Sequence, residues 1–273
     1  MTKERTDQTD SNSFMDLIKK LLLCFLILIA KETFSCSCVN TPLLEKYQRS
    51  DFIATIKILK VIQDENNKDY HDIDFELINL YKGASINKLK IESVLNSSCS
   101  FLPSENTTWL VFASKDHNGF LSFGACSGSE QIDREFDLAK YPNLDVKYKK
   151  SIDLKLKVLD FIKGNKLAID NKFKLMPIDY RLCLDGLKGF NEKDRFAVYE
   201  LIVNRSLSIE NIRILKRFNN KDLSKKLTDC LRDNLKITAR NVDAIPEKAK
   251  IIMIYFYYSA EKENPSFISL WDL

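Results

Sequence analysis

At 273 residues and 45% apolar content, the chain is long enough for two ordinary domains and too apolar to be a disordered segment. Its 42 Lys and Arg are interspersed with 38 Asp and Glu, so the net charge of +4 forms no clustered basic stripe and argues against a nucleic-acid partner. Two histidines, seven glycines and no His-Glu-x-x-His, Gly-x-Ser-x-Gly or phosphate-cradling glycine loop argue against an enzyme, and no cofactor is expected.

Lys19 and Lys20 precede a ten-residue apolar run, Leu21 to Ala30, and a short stretch follows that ends Thr33-Phe34-Ser35. This order of charge, apolar run and small residue predicts a signal peptide over 1–35, with Met15 as an alternative start because residues 1–14 are polar and unpatterned. The run falls well short of the roughly 20 residues a membrane-spanning helix needs, so no transmembrane segment is expected after cleavage; an uncleaved anchor is the competing reading. The expected destination is secreted or periplasmic, where disulfides persist. Beyond the signal lie Cys36, Cys38, Cys99, Cys126, Cys183 and Cys230, an even number that allows up to three bridges with the connectivity open. Cys36 and Cys38 are too close in sequence to pair readily with each other, so each looks downstream. Only His71 and His117 are present and there is no Cys-x-x-Cys pair, so no metal site of the chain's own is expected.

From Cys36 onward the pattern is one of strands. Phe52, Ala54, Ile56 and Ile58 share one face of the first. In the second, Ile73, Phe75 and Leu77 alternate with Asp72, Asp74 and Glu76, and His71 at its start is read as exposed. Leu89 and Ile91 mark the third, Trp109 to Ala113 the fourth, and Phe120 to Phe123 the fifth, which ends at Gly124-Ala125-Cys126-Ser127. Five short antiparallel strands separated by turn signals predict a Greek-key barrel of the OB type over 36–130.

Cys36-Ser37-Cys38, Tyr81-Lys82-Gly83, Ser98-Cys99, the Trp109 to Ala113 strand and Cys126-Ser127 occur in an order that resembles the netrin-like N-terminal domain of the tissue inhibitors of metalloproteinases (TIMPs), and more closely its bacterial relatives. The resemblance implies bridges from Cys36 to Cys99 and from Cys38 to Cys126. It also implies an inhibitory chemistry in which the freed α-amine and carbonyl of Cys36 chelate a target protease's zinc at its open position. Cys36 would then be a metal ligand only in complex with that zinc. Ser37 would enter the specificity pocket, and Ser98-Cys99 would form the neighbouring ridge. The third bridge and the second disulfide-rich domain of the animal inhibitors have no counterpart in the sequence. An alternative fate is a lipoprotein acylated on Cys36, which would consume that sulfur and exclude the bridge.

Residues 131–175 read as a helical connector, with Ile152, Leu156, Leu159 and Ile162 at helical spacing before Gly164, packed on one domain or the other. Phe196 to Val203 is a strand apolar on both faces, followed by a turn at Asn204 to Ser208 and a strand from Ile209 to Leu215. Leu223, Leu227, Cys230, Leu231 and Leu235 then form a helical stripe, and beyond Pro246 the run Ile251 to Tyr258 is a last strand. This ββαβ order, within a domain at 176–273, resembles the C-terminal domain of the TonB-type energy transducers over about 176–260, without their membrane helix and Pro-rich spacer. The resemblance implies an α+β module that takes up an extended peptide as an added strand. Cys183 and Cys230 either form a third bridge or leave Cys230 a buried thiol. The expected fold is thus mainly β plus α+β. The expected function is an exported, disulfide-stapled binding protein for a protein or peptide partner, with inhibition of a zinc metalloprotease as the alternative.

Overall fold

A computed structural model describes residues 19–20, 36–116 and 119–272, so the expected signal peptide, Lys19 and Lys20 apart, and His117 lie outside the described residues. Pro42 opens a short helix, α1 (Leu43–Arg49), and five strands follow: β1 (Phe52–Gln63), β2 (Tyr70–Lys82), β3 (Leu89–Glu92), β4 (Thr108–Lys115) and β5 (Leu121–Gly124). β1 pairs with both β2 and β4, β2 with β3, β3 with β5 and β5 with β4, so the ring closes into a barrel. The pair β3–β5 is parallel, where the sequence suggested antiparallel strands throughout. The reason is topological. A closed ring with an odd number of strands cannot alternate direction all the way round, so one neighbouring pair must run the same way. β1 and β2 are also long, at 12 and 13 residues, and three register shifts between them let β1 bend from β4 toward β2. A two-residue strand, β6 (Glu130–Gln131), is added beside β4.

The barrel interior holds the face read from the sequence, Phe52, Ala54, Ile56 and Ile58, against Ile91, Trp109, Val111 and Phe123. Gly83 ends β2 at φ +91°, and a Cβ there would lie 2.6 Å from the Asp51 carbonyl oxygen, so the turn excludes any side chain. His71 is buried, at 6% exposure, and not exposed as expected. Its parity in β2 matches that of Ile73, so it points inward with the core face.

The second half contains α2 (Leu144–Gly164), β7 (Leu175–Ile178), α3 (Tyr180–Asp185), β8 (Phe196–Val203), β9 (Ile209–Lys216), α4 (Lys221–Asp233), β10 (Lys236–Ala239), β11 (Ala249–Tyr258) and β12 (Phe267–Ser269). They make a four-stranded antiparallel sheet in the order β12-β11-β8-β9 and a separate β7–β10 ribbon. Both central strands are buried on both faces, and parity sorts their side chains. Ala197, Tyr199, Leu201, Met253 and Tyr255 face Leu223, Leu227 and Leu231 of α4. Phe196, Val198, Ile252, Ile254 and Phe256 face Leu154, Val158, Leu159 and Ile162 of α2.

The core beneath α2 also contains Ile53, Leu110 and Phe112, the outward residues of β1 and β4. The helix therefore packs on the barrel and on the second sheet together, rather than on one of them. Each fully buried leucine or valine in this layer contributes on the order of 1.5–3 kcal/mol. A buried charge knot ties the same junction. Lys155 of α2 lies 2.5 Å from Glu130 and 3.8 Å from Asp272, and Lys46 of α1 is 3.9 Å from each. Asp272 also accepts the Leu43 N–H at 2.8 Å. Cys183 and Cys230 are bonded and join α3 to α4. Among the described residues no helix is long and apolar enough to cross a membrane.

Candidate functional site

Two surfaces gather the candidate residues. The first is the segment that begins at Cys36. Cys36 is bonded to Cys99 and Cys38 to Cys126, with Cα atoms 4.9 and 5.1 Å apart, which are the pairs that the netrin-like resemblance implies. The two bridges sit side by side, so the sulfurs of Cys36, Cys38 and Cys126 lie within 4.8 Å of one another, yet all three are spent in disulfides and offer no thiolate to a metal. A metal could be met here only through the Cys36 nitrogen and carbonyl. That nitrogen donates to Ser98 Oγ at 2.9 Å. Ser37, Cys38 and Ser98 are exposed, and Val39 is 82% exposed, so the segment forms a ridge beside the Ser98-Cys99 loop. The loop is fixed from below. Ser93 donates its N–H to the Asp69 carbonyl at 2.7 Å and its hydroxyl to the same oxygen at 2.9 Å, and His71 Nδ1 meets Ser93 Oγ at 2.9 Å. Phe101 closes the loop by donating to the Ser93 carbonyl at 2.9 Å.

The second surface is the outer edge of β11. Tyr257 donates its N–H to the Arg195 carbonyl on the β8 side at 2.8 Å. Antiparallel pairing alternates, so Tyr255, Met253 and Ile251 also turn their backbone groups to β8, while Ile254 and Ile252 turn theirs away. On that far side β12 covers only Phe256 to Tyr258. Among the described residues, no hydrogen-bond partner meets the outward groups of Ile252 and Ile254. A groove of about 560 Å³ runs along this edge, walled by Leu44 of α1, by Leu175, Met176 and Pro177 of β7, and by Leu270. The facing edge of β7 is closed. Leu175 gives its N–H to Asn171 Oδ1 and takes Asn171 Nδ2–H on its carbonyl, both at 2.8 Å, and Pro177 has no N–H.

The chain matches no family model and no curated protein. The ridge is a largely exposed stretch of backbone tied down by two disulfides and by the Cys36 N–H bond to Ser98. The groove is a mainly apolar trough, with Glu45, Arg49 and Lys174 along it and an unpaired strand edge on one wall. The sequence picked out all five ridge residues, Cys36, Ser37, Cys38, Ser98 and Cys99, and the structure brings them together. It did not pick out Asn171, Met176 or Leu270. Only the unbroken apolar run of β11 hinted that this strand is covered on both faces, because short elements such as β7 and β12 carry too few residues to show a period.

Proposed function

We propose that the chain is an exported binding protein whose second half takes up an extended, apolar peptide segment as an added strand on β11. The observation that carries this reading is the open edge at Ile252 and Ile254, facing a groove whose walls are mainly apolar, through Leu44, Leu175, Met176, Pro177 and Leu270, with Glu45, Gln48, Arg49 and Lys174 also along it. Each backbone hydrogen bond gained there contributes about 0.5–1.5 kcal/mol net, and the apolar walls at Leu44, Leu175, Met176 and Leu270 favour apolar side chains opposite them. The arrangement of hairpin β8–β9, helix α4 and strand β11 on one sheet supports the TonB-like reading of 176–273, with 131–175 as connector. The spatial order β4-β1-β2-β3 follows a Greek-key path and supports an OB-type, netrin-like reading of 36–130. Three disulfides in one chain support export to an oxidising compartment.

The test is a screen of the chain against extended apolar peptides by fluorescence anisotropy, with Met176→Asp as the probe of the groove. Met176 is 51% exposed, so the variant should unfold like the parent while losing about tenfold or more in peptide affinity, because a carboxylate is then desolvated by the bound strand. Unchanged affinity in a folded Met176→Asp protein would remove the groove from the binding site.

A second reading has its own observation. The exposed ridge held by two disulfides, with the Cys36 nitrogen poised on Ser98, is the arrangement that inhibition of a zinc metalloprotease through Cys36 needs. A chain matured at Cys36 should then inhibit, and one carrying an extra alanine before Cys36 should not, with both unfolding at the same temperature. Equal inhibition by the two would exclude chelation, and absence of inhibition by either would leave the peptide reading alone.

A further inference from the structure

Lys150 of α2, Lys188 after α3 and Arg195 at the start of β8 converge on a cleft of about 500 Å³, far from the β11 groove in lining and in chemistry. Tyr258 and Phe267 form its apolar wall, their rings stacked with centroids 5.0 Å apart. One acid borders the cleft, Glu261, which meets Lys147 at 3.1 Å in an exposed pair that offsets its charge only weakly, so three cations face the cleft against one carboxylate. Lys188 meets Asp185 at 2.9 Å, but both are exposed, and such a pair holds its charge only weakly.

Arg195 stands out. It is half-buried, it donates Nε–H to the Tyr257 carbonyl at 3.2 Å, and its guanidinium lies 5.9 Å from the Tyr258 ring centroid. Among the described residues it has no carboxylate partner. Lys90, Lys155 and Lys216, by contrast, are matched by carboxylates, at 2.6 Å from Asp64, 2.5 Å from Glu130 and 2.8 Å from Asp194, and part-buried Lys82 spends its ammonium on the Tyr47 and Gln48 carbonyls. A guanidinium carries five donors in a planar fork that fits two oxygens of one oxyanion, and Nε alone is used here. Two flanking ammonium groups would neutralise a second negative charge.

We propose that this cleft binds a phosphate or sulfate group, free or as an ester, with Arg195 as the bidentate donor and Lys150 and Lys188 as flanking charges. The aromatic wall favours an ester that carries a flat apolar group over the free ion. The site stands independently of the peptide reading.

The test is calorimetric titration of the full chain, at low ionic strength, with inorganic phosphate, inorganic sulfate and phenyl phosphate. Saturable binding is expected in the millimolar range or below. Tighter binding of phenyl phosphate would identify an ester as the ligand, and equal binding would identify the free ion. Arg195→Met should weaken binding about tenfold or more, the scale of one bidentate charge-assisted contact, and Arg195→Lys should restore only part of it because the fork is lost. Lys150→Ala and Lys188→Ala, both at exposed positions, should each weaken binding severalfold and serve if the Arg195 variants fail to fold. No saturation with any of the three probes, or a folded Arg195→Met protein that binds as tightly as the parent, would overturn the proposal.

Discussion

Asn171 decides which of two facing strand edges stays closed. Its carboxamide satisfies both backbone groups of buried Leu175, so Asn171→Ala should leave a buried N–H and C=O unmet and destabilise by about 1–3 kcal/mol in denaturant unfolding, while Asn171→Asp, which keeps the acceptor, should cost less. Nothing in the sequence around Asn171 announces this role, because the partner is a backbone four residues on and no motif encodes it. His71 was misread for a different reason. The charge of the neighbouring Asp72 suggested solvent, whereas strand parity with Ile73 would have placed it inside, where it holds the loop that carries Ser98 and Cys99. The ridge residues were legible because the spacing of Cys36, Cys38, Cys99 and Cys126 carries the netrin-like resemblance, which no apolar pattern would have done.

Among the elements, α2 is the one whose loss would separate the two halves. Its leucine and isoleucine spacing was readable, but a stripe shows only that a helix is covered, and the second covered face, through Leu154 and Val158, appears only when both sheets are in place. Lys155 is buried on that helix, a position where an unpaired ammonium would be costly. Lys155→Met should leave Glu130 and Asp272 without their closest cation and destabilise by about 3–5 kcal/mol, and adding Glu130→Gln should recover part of that loss. Tyr148 on the same helix donates its hydroxyl to the Gln131 carbonyl at 2.7 Å, and burial, with Glu130 nearby, pushes its pKa up to about 12. The folded state thus favours the neutral phenol, so this contribution is fully present below about pH 10 and fades as pH rises from about 10 toward 12. Tyr148→Phe should therefore show a shallower loss of stability than the parent across that alkaline range, measured by denaturant unfolding.

At the scale of the whole molecule, three disulfides close loops of 63, 88 and 47 residues, each constraining the unfolded chain by about 4 kcal/mol in the loop-entropy model. Two of them tie the first residues of the barrel to its far loops, and the third ties α3 to α4, so reduction should lower the unfolding temperature of both halves. The shared layer around α2 makes the halves unfold together, and a single cooperative transition is expected by calorimetry as long as the bridges are intact. The five barrel strands and the long strands β8, β9 and β11 were readable from alternation or from apolar runs, but the short strands β6, β7, β10 and β12, the parallel closure of the barrel and the groove between β11 and β7 were not, since these arise from how distant segments meet. The capture of a peptide on β11 is tested most directly by residue-resolved amide hydrogen exchange with and without an apolar extended peptide. The N–H groups of Ile252 and Ile254 should slow by about tenfold or more on binding, while those of Ile251, Met253 and Tyr255, already bonded to β8, should change little. Binding that leaves Ile252 and Ile254 unprotected, or that slows only the segment from Cys36 to Val39, would contradict it and move the binding function to the barrel.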